Sequence, residues 1–497
     1  MAVDPRVPCV IGVAQRTWHL GGEHQAPEPL EMQAEVAAAA IADAEASGDL
    51  TAAVDRLGLV HCMSWPYDDP TGRLASAVGI TPSTSTYSSM SGTVGQQLVG
   101  AAADRITSGE SEVELVVGAE ALDTKRRLKK AGERPSWSHR NPDPPGIPFD
   151  TPFHEAEIAH EVFQAWLTFA VRDIARRARI GTSPEEHRQH LGELLAPLSE
   201  IAVANPYAWF PAAHTPTELI TATTQNRMVG YPYTKTMVAV MDVDMAASVV
   251  VASWEAADRL GVPEERRVPL RGWAFGCDAA YVAEHPDLSR SPAMGAVSSE
   301  ALRVAGVGID DIAEFDLYSC FASSVDFALD ALGLLPGDAR PFSVTGGLPY
   351  CGGPASNYMT HAIATMVGRL RDQPGSLGMV SGVGMHMTKH VFAVYGGDPH
   401  TAGDPRPADL QPELDTANTS RRITDNFDGD ATLAAYSIVH GRDGDAKWGL
   451  GIVDLDDGTR AYARAEDGAL LAEWERRECV GDTITLRSDG AVNRVVV

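Results

Sequence analysis

The chain has 497 residues, of which 44% are hydrophobic, and a formal net charge of −27 at pH 7. This composition supports a large core and more than one domain, while the negative charge argues against nucleic acid as a partner, because phosphate contacts need a positive field. No apolar run of about 18 residues predicts a membrane span, and the start MAVDPRVPCVIGVAQRT lacks the regions of a signal peptide. We therefore expect a cytoplasmic protein.

The cysteine pattern argues against a metal or redox site. The 6 cysteines include no C-x-x-C pair, so neither a zinc knuckle nor a dithiol motif is indicated. Disulfides are improbable in a large cytoplasmic chain, and buried free thiols are the ordinary alternative. We expect no metal and no resident cofactor.

The first 123 residues alternate buried strands and helices. The segments VPCVIGVA (7–14) and ELVVGAEAL (114–122) predict buried strands, and Val94 to Ile106 predicts a helix with small residues on its faces. Between them, TPSTSTYSS (81–89) is polar and prone to β structure. This alternation is typical of an α/β sheet covered by helices.

The segment 124–236 has a different character, rich in proline, aromatic and charged residues, and is interpreted as a cap or loop region. It begins with the basic stretch TKRRLKKAGERPSWSHR (124–140). One interpretation is a solvated surface loop. The other is a clamp for the phosphates of a nucleotide-bearing thioester, made by Lys125, Arg126 and Arg127.

The rest of the chain returns to the α/β pattern and then changes to strands alone. A helix, turn and strand pattern in the second half echoes the first, while 398–427 is rich in Pro and Asp, and 428–497 has short strands with Asp-Gly turns. The predicted units are a first half (1–123 and 237–267), the cap (124–236), a second half (268–397), a linker (398–427) and a small antiparallel, OB-like β-barrel (428–497).

Several segments, in order, resemble motifs of the thiolase superfamily, and the branch of the sterol-carrier-protein-type thiolases in particular. They are IGVAQRT, SGTVGQQLVGAAADRITSG, VVGAE, NPYAWF, YSCFASS, GGLPYCGGP and VSGVG. The resemblance covers most of the first 397 residues. It implies two related βαβαβαββ halves in five α-β-α-β-α layers, and an acetyl-CoA acyltransferase-like protein of lipid and acyl-CoA metabolism.

The catalytic positions of that family carry different residues here. The family uses a cysteine nucleophile at a helix N-terminus, where the helix dipole favours the thiolate, a histidine in Gly-His-Pro, a second cysteine, and an Asn or His in a fourth motif. By resemblance these positions fall on Gly92 (or Ser89 in a shifted register), Gly353, Val380 (or Ser381) and Tyr318. All four have changed chemical type, so we expect no thiolysis or Claisen condensation by the standard route.

Other residues in the matched loops are candidates for different chemistry. Tyr318, Tyr350 and His386 form a candidate proton-transfer set, since tyrosine and histidine serve as general acids or bases. Cys351 is the one cysteine within the Gly-His-Pro-like loop. Packing roles for the tyrosines and a buried thiol are the alternative.

Two further features of the second half bear on ligands. Gly346 and Gly347 would let a pantetheine approach the backbone, or would only form tight turns. His386 and His390 would share one strand face at i, i+4, which without a third ligand is a poor metal site.

Three classes of function stay open. The first is a thiolase-like protein without thiolase activity that binds an acyl-CoA or lipid-like ligand. The second is a carbon–carbon lyase of retro-aldolase type, or an acyltransferase, that uses Tyr or Cys chemistry. The third is a partner protein that interacts through its barrel. The resemblance adds that some thiolase-like retro-aldolases use tyrosine and work with an OB-bearing partner. Since thiolases dimerise through the strand that is TPSTSTYSS here, without aliphatic residues, we expect a monomer or weak homodimer.

Overall fold

The computed structural model describes residues 2–18, 25–146, 148, 151, 153–335 and 337–497. The first half contains β1 (Pro8–Thr17), α1 (Pro29–Asp43), α2 (Leu50–Ala53), β2 (Arg56–Leu59), α3 (Pro70–Val78), β3 (Thr84–Tyr87), α4 (Val94–Ser108), β4 (Val113–Ala121), α5 (Leu122–Lys130), β7 (Asp244–Ser253) and α10 (Trp254–Arg259). The predicted strands and helix at 7–14, 114–122 and 94–106 are confirmed. Gly109 ends α4 with φ +79°, a left-handed conformation that favours glycine at a helix C-terminus.

The second half contains β8 (Val268–Cys277), α11 (Pro292–Ala305), β9 (Ile312–Asp316), α12 (Ala322–Leu332), α13 (Leu348–Cys351), α14 (Tyr358–Asp372), β10 (Leu377–Gly384) and β11 (Lys389–Gly396). All strands of the two halves form one nine-stranded sheet in the order β3-β2-β4-β7-β1-β8-β11-β10-β9. In each half the last strand runs antiparallel between its two neighbours, β7 in the first half and β11 in the second. The two halves therefore arrange their strands in the same order.

The second half departs from the predicted βαβαβαββ pattern at one point. The described residues between α12 and α13 form no counterpart of β3. The reason is the buried carboxylate of Asp316, which accepts hydrogen bonds from the backbone N–H groups of Val344 and Thr345 and from the hydroxyls of Ser343 and Thr345. These N–H groups are consequently not offered to a neighbouring strand.

Helices α4 and α14 pack against each other, and each contacts strands of both halves. Close approach needs small residues: a methyl group at Gly100 in α4 would overlap the indole ring of Trp273 in β8. The phenol of Tyr395 in β11 donates a 2.6 Å hydrogen bond to Gln96 of the same helix. One large hydrophobic core therefore includes residues of both halves.

The cap region holds α6 (Glu155–Ala159), α7 (Ala165–Ile180), α8 (Pro184–Ala204), α9 (Pro216–Ile220), β5 (Met228–Gly230) and β6 (Tyr233–Thr234). Helix α7 is buried continuously from Leu167 to Arg177, as expected of a helix packed on every side. The predicted basic surface loop is wrong in part, because its first residues belong to α5. The predicted linker likewise contains a helix, α15 (Gln411–Ala417), which packs against β8.

The C-terminal region is a closed five-stranded barrel, which confirms the predicted barrel. Its elements are β12 (Gly429–His440), β13 (Ala446–Asp454), β14 (Arg460–Ala465), α16 (Gly468–Arg476), β15 (Thr483–Ser488) and β16 (Asn493–Val496), in the cyclic order β12-β13-β14-β16-β15. The expected purely antiparallel pairing is wrong at β14 and β16, which pair in parallel. The cap strands β5 and β6 extend the same sheet through β12.

We predict that Gly100→Ala lowers the free energy of unfolding by about 1–3 kcal/mol, because the added methyl group overpacks against Trp273. The matched control is Gly295→Ala in α11, where no neighbouring atom lies within 4 Å of the added methyl group. That variant should gain about 0.5–1 kcal/mol from helix propensity. Urea denaturation measures both, and equal stability of the two variants would contradict the packing.

Candidate functional site

An apolar cavity of about 390 Å³ lies where the N-terminus of α4, helix α7 and the ends of β9 and β10 meet. Its walls are mostly aromatic rings, methionines and small residues. They are Met63, Met90, Ser91, Gly92, Phe153, Phe163, Gln164, Ala165, Trp166, Phe169, Val238, Ala239, Met241, Tyr318, Cys320, Phe321, Leu348, Gly353, Ala355, Ser356, Val383, Met385 and His386. The predicted positions Gly92, Tyr318, Gly353 and His386 are thereby brought together.

Gly92 lies in the turn that leads into α4. A methyl group at this residue would overlap both the phenol oxygen of Tyr318 and the carbonyl oxygen of Val383. The space that a nucleophilic side chain would need is therefore filled by the phenol of Tyr318 and the carbonyl of Val383. The alternative register, which assigns the nucleophile position to Ser89, places no nucleophile in the site either, because Ser89 does not line the cavity.

Tyr318 follows β9 and is fixed through its backbone. Its N–H donates to Ser381 Oγ at 2.9 Å, and its carbonyl accepts from Ser324 Oγ at 2.7 Å. Burial raises the pKa of the Tyr318 phenol well above its usual value, so the hydroxyl stays protonated. It makes no hydrogen bond to another described residue, which leaves a free donor at the cavity wall.

His386 lies in the turn between β10 and β11 and is 6% exposed. Its Nδ1 is 2.9 Å from Thr168 Oγ1 of α7, and its Nε2 has no hydrogen-bond partner among the described residues. Burial lowers the pKa of this imidazole to about 4, so it is neutral at pH 7. The expectation that His386 and His390 share a strand face is wrong, since the turn separates them.

Gly353 and Val380 are the two other residues that the resemblance assigns to catalytic positions of the family. A methyl group at Gly353 would fit tightly, because Leu348 Cδ2 at 3.3 Å would have to shift slightly, whereas Val240 O at 3.5 Å would be in ordinary contact. Val380 is buried in β10 and does not line the cavity. Its neighbour Ser381 holds the backbone of Tyr318, and neither side chain is placed to transfer a proton in the cavity.

Tyr350 and Cys351 lie apart from this cavity. The Tyr350 hydroxyl is buried with no described partner, and its ring lies 5.9 Å from that of His214. Cys351 is fully buried. Burial, and to a smaller extent the charge of the nearby Asp316, raises the pKa of its thiol well above the usual value. The structure therefore does not bring the predicted proton-transfer set together, but only Tyr318 and His386.

Gly346 and Gly347 have positive φ angles of +96° and +78°. Side chains there would overlap Ala202 of α8 and Ser319. These glycines therefore serve the packing of the loop against α8, and neither lines the cavity.

The basic helix α5 lies beside the cavity. Arg126 forms ion pairs with Asp123 and Asp242, and Arg127 with Asp123 and Asp244. Lys125 Nζ instead donates a 3.2 Å hydrogen bond to the carbonyl of Met63, a cavity residue. Lys125 forms no ion pair with a described carboxylate and is the better placed of the predicted phosphate contacts.

Sequence reasoning missed the contribution of α7 to the cavity. Trp166, Thr168 and Phe169 of this helix lie at the cavity or hold His386. The aromatic cluster FQAWLTF (163–169) is the signal that could have indicated this wall. Among the described residues, no group of three or more His, Cys, Asp or Glu side chains is arranged to hold a metal ion. No helix in the described ranges is both long enough and apolar enough to span a bilayer.

Comparisons with known proteins give relatives for this fold and site. No family model matches the chain. A 3-ketoacyl-CoA thiolase of Chromohalobacter salexigens is 31% identical over 136 residues, 27% of this chain and 32% of that protein, so the chain spans about a third of the length of this curated relative. The crystal structure of a monomeric SCP2-thiolase-like protein type 1 from Mycobacterium smegmatis is 32% identical, with a TM-score of 0.87 and 100% of both chains covered. An Ltp2–ChsH2(DUF35) aldolase, 18% identical, shares the fold with a TM-score of 0.61 over 79% of this chain and 98% of that one.

These relatives, together with the duplicated strand order, show that the chain is a protein of the thiolase superfamily. Within it, the identity that extends over the whole of the Mycobacterium smegmatis protein shows the family. The chain belongs to the SCP2-thiolase-like proteins.

We predict that Cys351 reacts with iodoacetamide at pH 8 at least on the order of a hundredfold more slowly in the native protein than in urea, because burial suppresses its thiolate. Peptide mapping by mass spectrometry measures the rates. The partly exposed Cys277 is the internal control and should react faster. Equal native rates for Cys351 and Cys277 would contradict this assignment.

Proposed function

We propose that the chain binds an acyl-CoA thioester of lipid metabolism in the apolar cavity and does not carry out thiolysis by the standard route. The observation that carries this proposal is the overlap at Gly92, where the Tyr318 hydroxyl fills the space of a nucleophilic side chain. Covalent catalysis needs an activated nucleophile, and the surrounding wall offers none at that point.

The cavity suits the acyl part of such a ligand. Its walls expose mainly aromatic and aliphatic surface, and apolar walls with a few polar groups are typical of small-molecule sites. The Tyr318 hydroxyl is a donor for the thioester carbonyl. Lys125, which donates a hydrogen bond to the carbonyl of Met63, would bind a phosphate of CoA. The proposed site thereby includes the nucleotide as well as the acyl chain.

We also infer the finer architecture expected from the resemblance. Five α-β-α-β-α layers are supported by α4 and α14, which contact strands of both halves, and by α1 and α11, which pack on strands of one half each. An OB-like barrel is supported by the order β12-β13-β14-β16-β15 and by α16 between β14 and β15.

A second candidate function is a carbon–carbon lyase of retro-aldolase type. It is favoured because one cavity is lined by a phenol donor, Tyr318, and by His386, whose Nε2 has no hydrogen-bond partner among the described residues. Such a reaction needs an acid and a base. In that case Tyr318→Phe abolishes turnover of a cleavable substrate while binding is retained. Cys-based acyl transfer through Cys351 is disfavoured by its burial.

For assembly we propose a monomer or weak homodimer. The edge strand β3 is polar and all four of its residues are exposed, and the Mycobacterium smegmatis relative is described as monomeric. A partner bound through the barrel is the remaining hypothesis, and the cytoplasmic location stays a prediction from the sequence. Sedimentation that finds a tight dimer at nanomolar protein would overturn the proposed state.

The test is calorimetry with CoA, acetyl-CoA and a long-chain acyl-CoA, together with an assay of acetoacetyl-CoA thiolysis. We expect no turnover, and at least about tenfold tighter binding of the long-chain thioester than of CoA, because two buried methylenes contribute about 1.6 kcal/mol. Gly353→Leu should weaken long-chain binding by filling the cavity, and Gly295→Leu, on the exterior of α11, should not.

Measurable thiolysis would overturn the absence of thiolase chemistry. Failure of every thioester to bind would overturn the proposed ligand. Equal loss of binding in Gly353→Leu and Gly295→Leu would move the ligand away from the cavity.

A further inference from the structure

The turn between β10 and β11 has an unusual backbone conformation on both sides of His386. Met385 and Met387, on either side of it, have φ angles of +54° and +60°. Residues other than glycine rarely adopt this left-handed backbone region, and those that do are concentrated at functional sites. His386 lines the cavity, and its ring lies 5.6 Å from that of Phe153.

Helix α7 fixes this turn from the side. One helical turn after Thr168, the buried guanidinium of Arg172 donates hydrogen bonds to the carbonyls of Met387 at 2.6 Å and Arg290 at 2.6 Å. Thr168 itself contacts the ring of His386. Two residues of one helix face therefore hold both the backbone of the turn and its side chain.

The hydrogen bonds of Thr168 determine which imidazole nitrogen carries the proton. Thr168 Oγ1 lies 2.9 Å from the carbonyl of Ala165 and 2.9 Å from His386 Nδ1. A carbonyl can only accept, and the hydroxyl has one hydrogen. Both contacts are satisfied when Thr168 donates to Ala165 and His386 donates from Nδ1, which leaves Nε2 as a bare acceptor.

We propose that His386 Nε2 accepts a hydrogen bond from a hydroxyl group on the acyl chain of the bound thioester, so that the site selects hydroxyacyl over unsubstituted acyl and ketoacyl thioesters. This inference rests on the proposed function. A buried acceptor without a partner among the described residues is costly, and a ketone or methylene offers it no hydrogen. Burial keeps the ring neutral, so the acceptor persists across physiological pH.

The expected selectivity is large because the acceptor is buried. Sites built to hydrogen-bond a ligand hydroxyl discriminate strongly against analogues without it, since the polar group of the site is then left unpaired. We expect a 3-hydroxyacyl-CoA to bind about ten to a hundred times more tightly than the acyl-CoA and 3-ketoacyl-CoA of equal chain length.

The experiment compares these three thioesters by calorimetry in the wild type, Thr168→Val, Thr168→Ser and His386→Phe. Thr168→Ser keeps the acceptor for Nδ1–H and should keep the preference. Thr168→Val removes that acceptor, so the proton of His386 is no longer confined to Nδ1. The preference for the hydroxyacyl thioester should then fall at least about tenfold. His386→Phe removes the acceptor and should abolish the preference, so that the three thioesters bind with equal affinity.

Equal affinities in the wild type, or an unchanged preference in His386→Phe, would overturn this inference and leave the proposed function standing. Failure of all three thioesters to bind would overturn the proposed function instead. The tautomer is tested without any ligand by long-range ¹H–¹⁵N correlation NMR on histidine-labelled protein. A proton on Nδ1 of His386 supports the inference, and a proton on Nε2 overturns it.

Discussion

The close approach of three backbone segments at Gly92 is the constraint on which the site depends. The turn before α4 belongs to the first half, whereas Tyr318 and Val383 follow or end strands of the second half. Because residue 92 has no side chain, the phenol of Tyr318 and the carbonyl of Val383 reach the turn directly. The same contact joins the two halves and occupies the space that a nucleophilic side chain at residue 92 would need.

Helix α7 of the cap connects this site to the rest of the molecule. Thr168 and Arg172 hold the His386 turn, and Arg176 pairs with Asp330 of α12. Arg177 binds Glu478 and the hydroxyl of Tyr436 in the barrel region. Buried arginines are stable only when each guanidinium finds hydrogen-bond or ion-pair partners. The barrel is consequently part of the support of the cavity wall.

Much of the fold could be predicted from the sequence, because hydrophobic patterns indicate its strands and helices and glycines mark the turns between them. The predicted strands and helix of the first half correspond to β1, β4 and α4. The absent strand of the second half could not be predicted, since it depends on the side chain of Asp316 meeting backbone groups almost thirty residues further on. The parallel pair in the barrel likewise depends on tertiary closure.

The site was predicted less completely. Tyr318 and His386 lie in the cavity, but Tyr350 and Cys351, which shortly precede Gly353 in the sequence, do not. A four-residue helix, α13, turns those side chains into the core. Thr168 could not be predicted, because its contact with His386 spans 218 residues of the chain and no local pattern indicates it.

The most direct test of the central claim is a double-mutant cycle between Gly92→Ala and Tyr318→Leu, measured by urea denaturation. If the Tyr318 ring fills the space of a side chain at residue 92, Gly92→Ala costs about 1–3 kcal/mol in the wild type. It then costs at least about 1 kcal/mol less in the Tyr318→Leu background, although the overlap with Val383 remains. Costs that add within about 0.5 kcal/mol would contradict the claim that the two residues share one volume.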